Sequence, residues 1–307
     1  MTAPPRRLAT TAGVLELGPR PLLMGIVNAT PDSFSDDGRH QTLDERVELA
    51  RSLLSQGADL IDIGGESGVT NRPAVTADEE IARVVPLIER VVGELGAGVS
   101  VDTYKPPVAR AAVAAGASIV NDVSGLRDPA LADVCADTGA GLVIMHTIAP
   151  PKQRHHDRSL DGRIVDDVRL FLEARIELAL GRGVAFEQVL LDPGPDFSKT
   201  PAQSIQVLGA LAQLHALERP ILLAVSRKDF LGALTGRGPR ERLAGTLAAV
   251  GQGVEAGAHV LRLHDIASAA DFLTVRAALR GEVEVAPALQ IPDSLRWAQG
   301  TSDPRSR

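Results

Sequence analysis

The sequence predicts a single (β/α)8 barrel, and three observations carry that expectation. Eight short apolar segments alternate without a break with eight helix-compatible stretches, the count that a closed barrel requires. The apolar segments are built from Val, Ile, Leu and Ala, which suit parallel strands buried on both faces. Polar residues recur where each of these segments ends, at the face where barrels place their active sites.

The strand candidates cover 22–28, 58–65, 98–103, 118–123, 141–146, 188–194, 221–226 and 259–265. The helical stretches follow at 42–56, 76–95, 106–115, 129–138, 165–181, 201–217, 240–256 and 266–280. Gly57-Ala58, Gly116-Ala117, Gly139-Ala140 and Gly257-Ala258 each stand between a helix and the next strand, where glycine accepts the left-handed turn back to the sheet. A small hairpin over 13–20 is expected to close the barrel's base. Residues 1–13 are expected to be a flexible N-terminus, 14–290 the barrel, and 291–307 a flexible tail.

A length of 307 residues suits one barrel with extensions, since such domains run to about 250 residues. The net charge of −7 argues against a nonspecific nucleic-acid binder, which needs a basic stripe. An anionic ligand must then be met by local cations. A single cysteine, Cys135, excludes an internal disulfide or a thiolate cluster and suits a reducing cytoplasm. Arg6 and Arg7 have no apolar run behind them, so no signal peptide is expected, and no stretch of about 18 apolar residues is present to span a membrane.

The strand ends supply Asn28, Asp62 with Glu66, Asp102, Asn121 with Asp122, His146, Asp192, Ser226-Arg227-Lys228, and Arg262 with His264 and Asp265. Each alone could cap a turn or a helix. Together they are rich in Asn and Asp, short groups that bind the ring nitrogens and amino groups of a heterocycle in fixed directions. Arg227, Lys228, Arg262 and His264 lie after strands seven and eight, where barrels often hold phosphate; a salt-bridge network with the nearby aspartates is the alternative.

These segments also resemble a known family. Residues 24–38, Met-Gly-Ile-Val-Asn-Ala-Thr-Pro-Asp-Ser-Phe-Ser-Asp-Asp-Gly, are similar to the first signature of the dihydropteroate synthases, and Gly57-Ala58-Asp59-Leu60-Ile61-Asp62-Ile63-Gly64-Gly65-Glu66-Ser67 is similar to the second. Ser100 to Lys105, Val120-Asn121-Asp122, Asp192-Pro193-Gly194, Ser226-Arg227-Lys228 and Arg262 to Asp265 extend the resemblance over about residues 14 to 280. It implies a transferase of folate biosynthesis, the target of sulfonamides, that joins 6-hydroxymethyl-7,8-dihydropterin diphosphate to p-aminobenzoate. By carry-over, Asp102, Asn121, Met145, Asp192 and Lys228 bind the pterin, with Asp102, Asp192 and Lys228 as the catalytic set. Asn28, Arg72, Arg262 and His264 hold the diphosphate, Asn28 is the Mg²⁺ ligand, and Phe197, Ser226, Arg227 and Asp229 face the acceptor. The family also implies SN1-like loss of pyrophosphate and a homodimer, for which the apolar helix over 246–257 is the candidate surface.

Three departures fall on the acceptor half. Asp229 stands where the family usually has a serine that receives the p-aminobenzoate carboxylate. Two like charges at about 4 Å cost roughly 4 kcal/mol at an effective dielectric near 20. The turn after Asp192 reads Pro195-Asp196-Phe197-Ser198-Lys199 in place of a glycine-rich run, and the loop from Ser67 to Arg72 is lengthened. Three readings remain: a dihydropteroate synthase with a rearranged acceptor site, a paralogue that binds pterin diphosphate with another acceptor or none, and a pterin-binding domain of the corrinoid methyltransferase type.

Overall fold

The computed structural model describes residues 6–30, 42–67, 73–153, 155 and 157–296. The chain divides into two compact units, Met1–Ala270 and Asp271–Arg307. The first holds every residue discussed below as part of the site. Its boundary falls inside a helix, Ile266–Leu279, and not near residue 290 where the barrel was expected to end. Residues 281–292 of the second unit are exposed throughout, so they add no buried layer.

The barrel strands are β3 (Leu22–Asn28), β4 (Leu60–Gly64), β5 (Gly98–Asp102), β6 (Ile119–Asp122), β7 (Gly141–Met145), β8 (Val189–Asp192), β9 (Leu222–Leu223) and β10 (Val260–Leu263). All pair in parallel in the order β8-β7-β6-β5-β4-β3-β10-β9. The ring closes through a bridge between Leu191 and Ile221 and the bond from Leu191 N–H to the Pro220 carbonyl, 3.0 Å. The helices α1 (Leu43–Ser55), α2 (Ala77–Leu95), α3 (Pro106–Ala114), α4 (Ala130–Thr138), α5 (Ile164–Gly181), α6 (Pro201–Gly209), α7 (Asp229–Thr235), α8 (Leu243–Glu255) and α9 (Ile266–Leu279) follow the strands in turn. Threonine hydroxyls cap α1, α2 and α6, accepting from the third helical N–H and satisfying a donor that has no partner within the helix.

Inward-facing residues alternate along each strand, and one apolar cluster fills the lower barrel: Met24, Leu60, Ile119, Val143, Leu190, Leu222, Ala224 and Val260. Two residues further along the same parity stand Ile26, Asp62, Asn121, Met145, Asp192, Ser226 and Arg262. The pattern that builds the core therefore delivers the polar set to the barrel's C-terminal mouth.

The N-terminus corrects the sequence expectation. Residues 6–10 are not loose: β1 (Arg6–Thr10) pairs antiparallel with β2 (Gly13–Leu17), so the hairpin starts seven residues earlier than 13. Leu8 and Leu17 are fully buried in the same cluster as the barrel interior, and Leu15 packs against it. Arg219 fastens the hairpin by donating to the Arg7 carbonyl at 3.1 Å and the Val189 carbonyl at 3.0 Å. One leucine inside Arg-Arg-Leu-Ala-Thr gives little periodic signal, so the sequence alone predicts a tail where the structure has a strand. Leu8→Ala is expected to lower stability by about 2–5 kcal/mol, measured by denaturant unfolding, because it opens a cavity at the barrel's base.

Candidate active site

Arg262 organises the mouth. It lies on β10, and its guanidinium donates from Nε to Asp62 Oδ2 at 2.6 Å and from Nη2 to Asp102 Oδ2 at 2.7 Å, bridging β4 and β5. Asn121 on β6 approaches both Asp62 oxygens at 3.4 Å. Asp62 is fully buried, Asn121 and Asp192 nearly so. Burial works against the Arg262 charge, yet Asp62 and Asp102 together hold its pKa above the ordinary arginine value. For Asp102, burial outweighs the attraction of Arg262 and lifts the carboxyl well above its usual range.

Asp192 ends β8, pairs in register with Met145, and accepts the Gly194 N–H at 2.7 Å. Burial raises its pKa, opposed by that hydrogen bond and by the Lys228 charge. Lys228, at the N-cap of α7, sits with its ammonium 4.2 Å from the Phe197 ring centroid, and burial lowers its pKa against the pull of Asp196 and Asp192. Asp102 and Asp192 thus each feel the charges of both Arg262 and Lys228. Asn121 joins them through Asp62.

His264 is held as a neutral group. Its Nδ1 lies 2.9 Å from Ser226 Oγ, which also accepts the His264 backbone N–H at 3.1 Å. Burial, together with the Arg227 and Arg262 charges, pushes its pKa down to about 3. In that state His264 meets the phosphate corner as a hydrogen-bond donor, and the charge there comes from Arg262 and Lys228.

The expected acceptor residues separate. Arg227 has a left-handed backbone, φ 57°, and its guanidinium clasps Asp265 at 2.7 and 3.1 Å, the salt-bridge alternative foreseen for this segment. Asp229 opens α7 with its carboxylate 80% exposed and paired with Arg242 Nη1 at 2.9 Å. The same Arg242 nitrogen donates to the Arg227 carbonyl at 2.9 Å, and its guanidinium lies flat where a side chain at Gly232 would stand. The repulsion expected from Asp229 is therefore offset beside its source. Nothing in the spacing of Arg237, Arg240 and Arg242 singled out Arg242.

Asn28 ends β3, half-buried, in register with Gly64, which in turn pairs with Asp102. Arg72 lies outside the described residues. Three further rim residues serve the framework. Asp122 accepts the Ser124 and Leu126 N–H groups and holds a turn. Glu66 accepts from Tyr104, Lys105 and the Val75 N–H at 2.9, 2.6 and 3.0 Å. His146 points to α5 and to Lys199 rather than to the mouth.

Comparison with known proteins decides the family. Residues 24–264 match the model of the pterin binding enzymes. The dihydropteroate synthase of Bacillus subtilis is 40% identical over 84% of this chain and 88% of its own length. The chain belongs to the pterin-binding enzymes, among the dihydropteroate synthases. The Xanthomonas albilineans dihydropteroate synthase with 4-aminobenzoic acid superposes with a TM-score of 0.83 at 44% identity, over 90% of this chain and 99% of that one. The same enzyme in complex with 7,8-dihydropteroate gives 0.79 at 44% identity, over 89% and 98%.

Family membership leaves the Asp62–Arg262–Asp102 bridge as the electrostatic centre of this chain's mouth. Removing its cation strands the fully buried Asp62 and the partly buried Asp102, which favours their protonated forms in the folded protein. A carboxyl whose folded pKa is raised destabilises the fold increasingly as pH climbs from its unfolded value near 4 toward the folded one. Arg262→Met is therefore expected to lose about 3–5 kcal/mol relative to the parent protein at pH 8 and much less at pH 4.5, read by thermal denaturation at both values.

Proposed function

We infer that this chain carries dihydropteroate synthase activity in folate biosynthesis, condensing 6-hydroxymethyl-7,8-dihydropterin diphosphate with p-aminobenzoate to release 7,8-dihydropteroate and pyrophosphate. The observation that carries this reading is the convergence of Asp102, Asn121, Asp192 and Lys228 at one barrel mouth, Asn121 and Asp192 buried and Asp102 and Lys228 partly so. An aminopyrimidine edge presents paired donors, which two carboxylates and a carboxamide oxygen accept; Met145, buried in register with Asp192, lines the ring's face.

The bond that breaks joins the pterin methylene carbon to a diphosphate oxygen, and the diphosphate leaves with the electron pair. Asp102 and Asp192 favour the positive charge that develops on the ring, while Arg262, Lys228 and the His264 N–H meet the departing anion. The arylamine nitrogen then supplies its lone pair to the methylene carbon, and its proton passes to the released pyrophosphate. Phe197 over Lys228 supports one wall of the acceptor site, and Ser226 is tied to His264 beside it. Arg227 acts in this scheme by bracing the turn through Asp265.

Asn28 carries a carboxamide oxygen, and among the described residues no group of three or more His, Cys, Asp or Glu could hold a metal by itself. That donor set fits Mg²⁺ in its usual mode, with one or two protein ligands and the rest from substrate phosphates and water. Asn28 would hold the ion, which when bound would neutralise charge on the leaving diphosphate.

The reading includes a homodimer, although of the expected surface over 246–257 only Ala248, Gln252 and Glu255 are exposed, with Leu243 and Ala244 exposed just before it on α8, and a cytoplasmic setting, supported by the unpaired, buried Cys135. No described helix is long and apolar enough to cross a membrane. Small-molecule substrates are its ligands, and the acidic balance speaks against nucleic acid.

Incubation with pterin diphosphate and Mg²⁺, with and without p-aminobenzoate, tests the reading. Pteroate and pyrophosphate are expected in equal amounts when both substrates are present. Pterin diphosphate binding with no pteroate under any acceptor concentration would point to the acceptor-altered paralogue. Lys228→Ala and Asp192→Asn are each expected to weaken pterin diphosphate binding tenfold or more by calorimetry, since each deletes a charged partner in a poorly solvated site. Arg242→Met should raise the KM for p-aminobenzoate severalfold by freeing the Asp229 charge, and adding Asp229→Ser should restore it; additive losses in the double variant would contradict that pairing.

A further inference from the structure

A buried charged relay lies behind the acceptor wall and takes no part in the chemistry above. Lys199, 2% exposed, donates through Nζ to His146 Nδ1 at 2.7 Å and to the Gly194 carbonyl at 2.8 Å, with the His146 and Phe197 carbonyls each at 3.3 Å. Three ammonium hydrogens thus serve four acceptors. His146, fully buried, has Nε2 2.9 Å from Asp167 Oδ2 on α5. With Nδ1 accepting from the ammonium, the imidazole proton sits on Nε2 and faces Asp167, so the relay has one consistent set of proton positions. The T-shaped contact with Phe171, centroids 4.8 Å apart, fixes the ring's plane.

What the ammonium holds is the turn 194–198. Gly194 has φ 62°, and any side chain there would strike the His146 carbonyl. Asp196 and Ser198 also lie in the left-handed region, at φ 68° and 55°, where side chains cost energy. The far side of the turn is pinned by Asp196, which accepts from Phe230 N–H at 3.2 Å. Phe197 stands between these two anchors and places its ring against Lys228.

We propose that Lys199 is a positioning residue for the acceptor: its ammonium, seated on the His146–Asp167 pair, holds the strained turn that presents Phe197 to p-aminobenzoate. This rests on the synthase reading above. Acceptor binding should then depend on the charge of a lysine that never touches substrate. The groups facing that charge are Asp192 on β8, Asp167 on α5, Asp196 in the turn, Lys228 before α7, and His146 after β7. Burial lowers the Lys199 pKa to about 7, the Lys228 charge adds to the lowering, and the three aspartates oppose it. The His146 ring, pushed down to about 4 chiefly by burial, stays neutral through the working range. The protonated form of Lys199 is present below its pKa and is lost as pH rises through it, so the KM for p-aminobenzoate should climb above about pH 7.

Lys199→Met is expected to raise the KM for p-aminobenzoate at least tenfold at pH 6.5, to leave pterin diphosphate affinity by calorimetry within about threefold, and to flatten the alkaline rise in acceptor KM. An unchanged acceptor KM, or equal losses for both substrates, would overturn the proposal. If Lys199→Met does not fold, Asp167→Asn keeps the lysine and removes an opposing charge from a half-exposed position. That variant should move the alkaline rise to lower pH, and an unmoved profile would overturn the proposal equally. Wild-type protein is assayed first: absence of pteroate there would sink the synthase reading and this proposal with it, whereas normal wild-type turnover with an unaffected Lys199→Met variant would sink the positioning role alone.

Discussion

Everything at the mouth depends on one arginine held between two carboxylates. Arg262 joins Asp62 on β4 to Asp102 on β5 from a strand on the opposite side of β3, so it closes the upper barrel with charge where Met24 and Val260 close the lower barrel with apolar packing. Such a triad is costly to bury, and a well-packed apolar replacement would often be as stable or more so. Its retention is explained by what it permits. Asp62 satisfies Asn121 and Arg262 together, which leaves Asp102 and Asp192 as acid groups in a poorly solvated space with pKa values raised by burial. Groups in that condition are suited to receive donors from a planar ring.

The acceptor side is built on a different constraint, a backbone forced into left-handed conformations. Asp196 and Ser198 stand where the family usually has glycines, yet both adopt positive φ, so the path of the turn survives the loss of its most permissive residues. Asp196 compensates through its side chain, accepting the Phe230 N–H and bonding to Ser204. Lys199 compensates from beneath. The replacement of the usual serine by Asp229 is met in a similar way, by a single arginine on the neighbouring turn. The departures on this half of the site are thus coupled to local partners.

The eight-strand alternation was legible because inward and outward residues on parallel strands are both apolar, and β3 was placed residue for residue. The seventh strand is expected over 221–226 but its ladder covers Leu222–Leu223 with one bridge at Ile221, because Ser226 and Arg227 already form the turn that leads to Lys228. Helix α7 leaves no periodic signal in the sequence, since seven residues are too few for a 3.6-residue period to show. The sequence predicts one helix over 201–217, but α6 ends at Gly209 and a 3-10 segment follows over Leu211–Leu217. At the site, sequence placed Asp102, Asn121, Asp192, Lys228 and Arg262 at the mouth. It could not say who pairs with whom. That Arg227 clasps Asp265, that His146 turns away to Lys199, and that Arg242 covers Asp229 are matters of side-chain direction, which spacing along a chain does not encode.

The most direct test is a crystal structure with a pterin soaked into the barrel. The ring should lie at the C-terminal mouth with its aminopyrimidine edge on Asp192 and Asn121, with Met145 against its face and with Asp102 and Lys228 within hydrogen-bonding reach. A ring bound elsewhere, or one at the mouth that leaves Asp192 without a contact, would contradict the account.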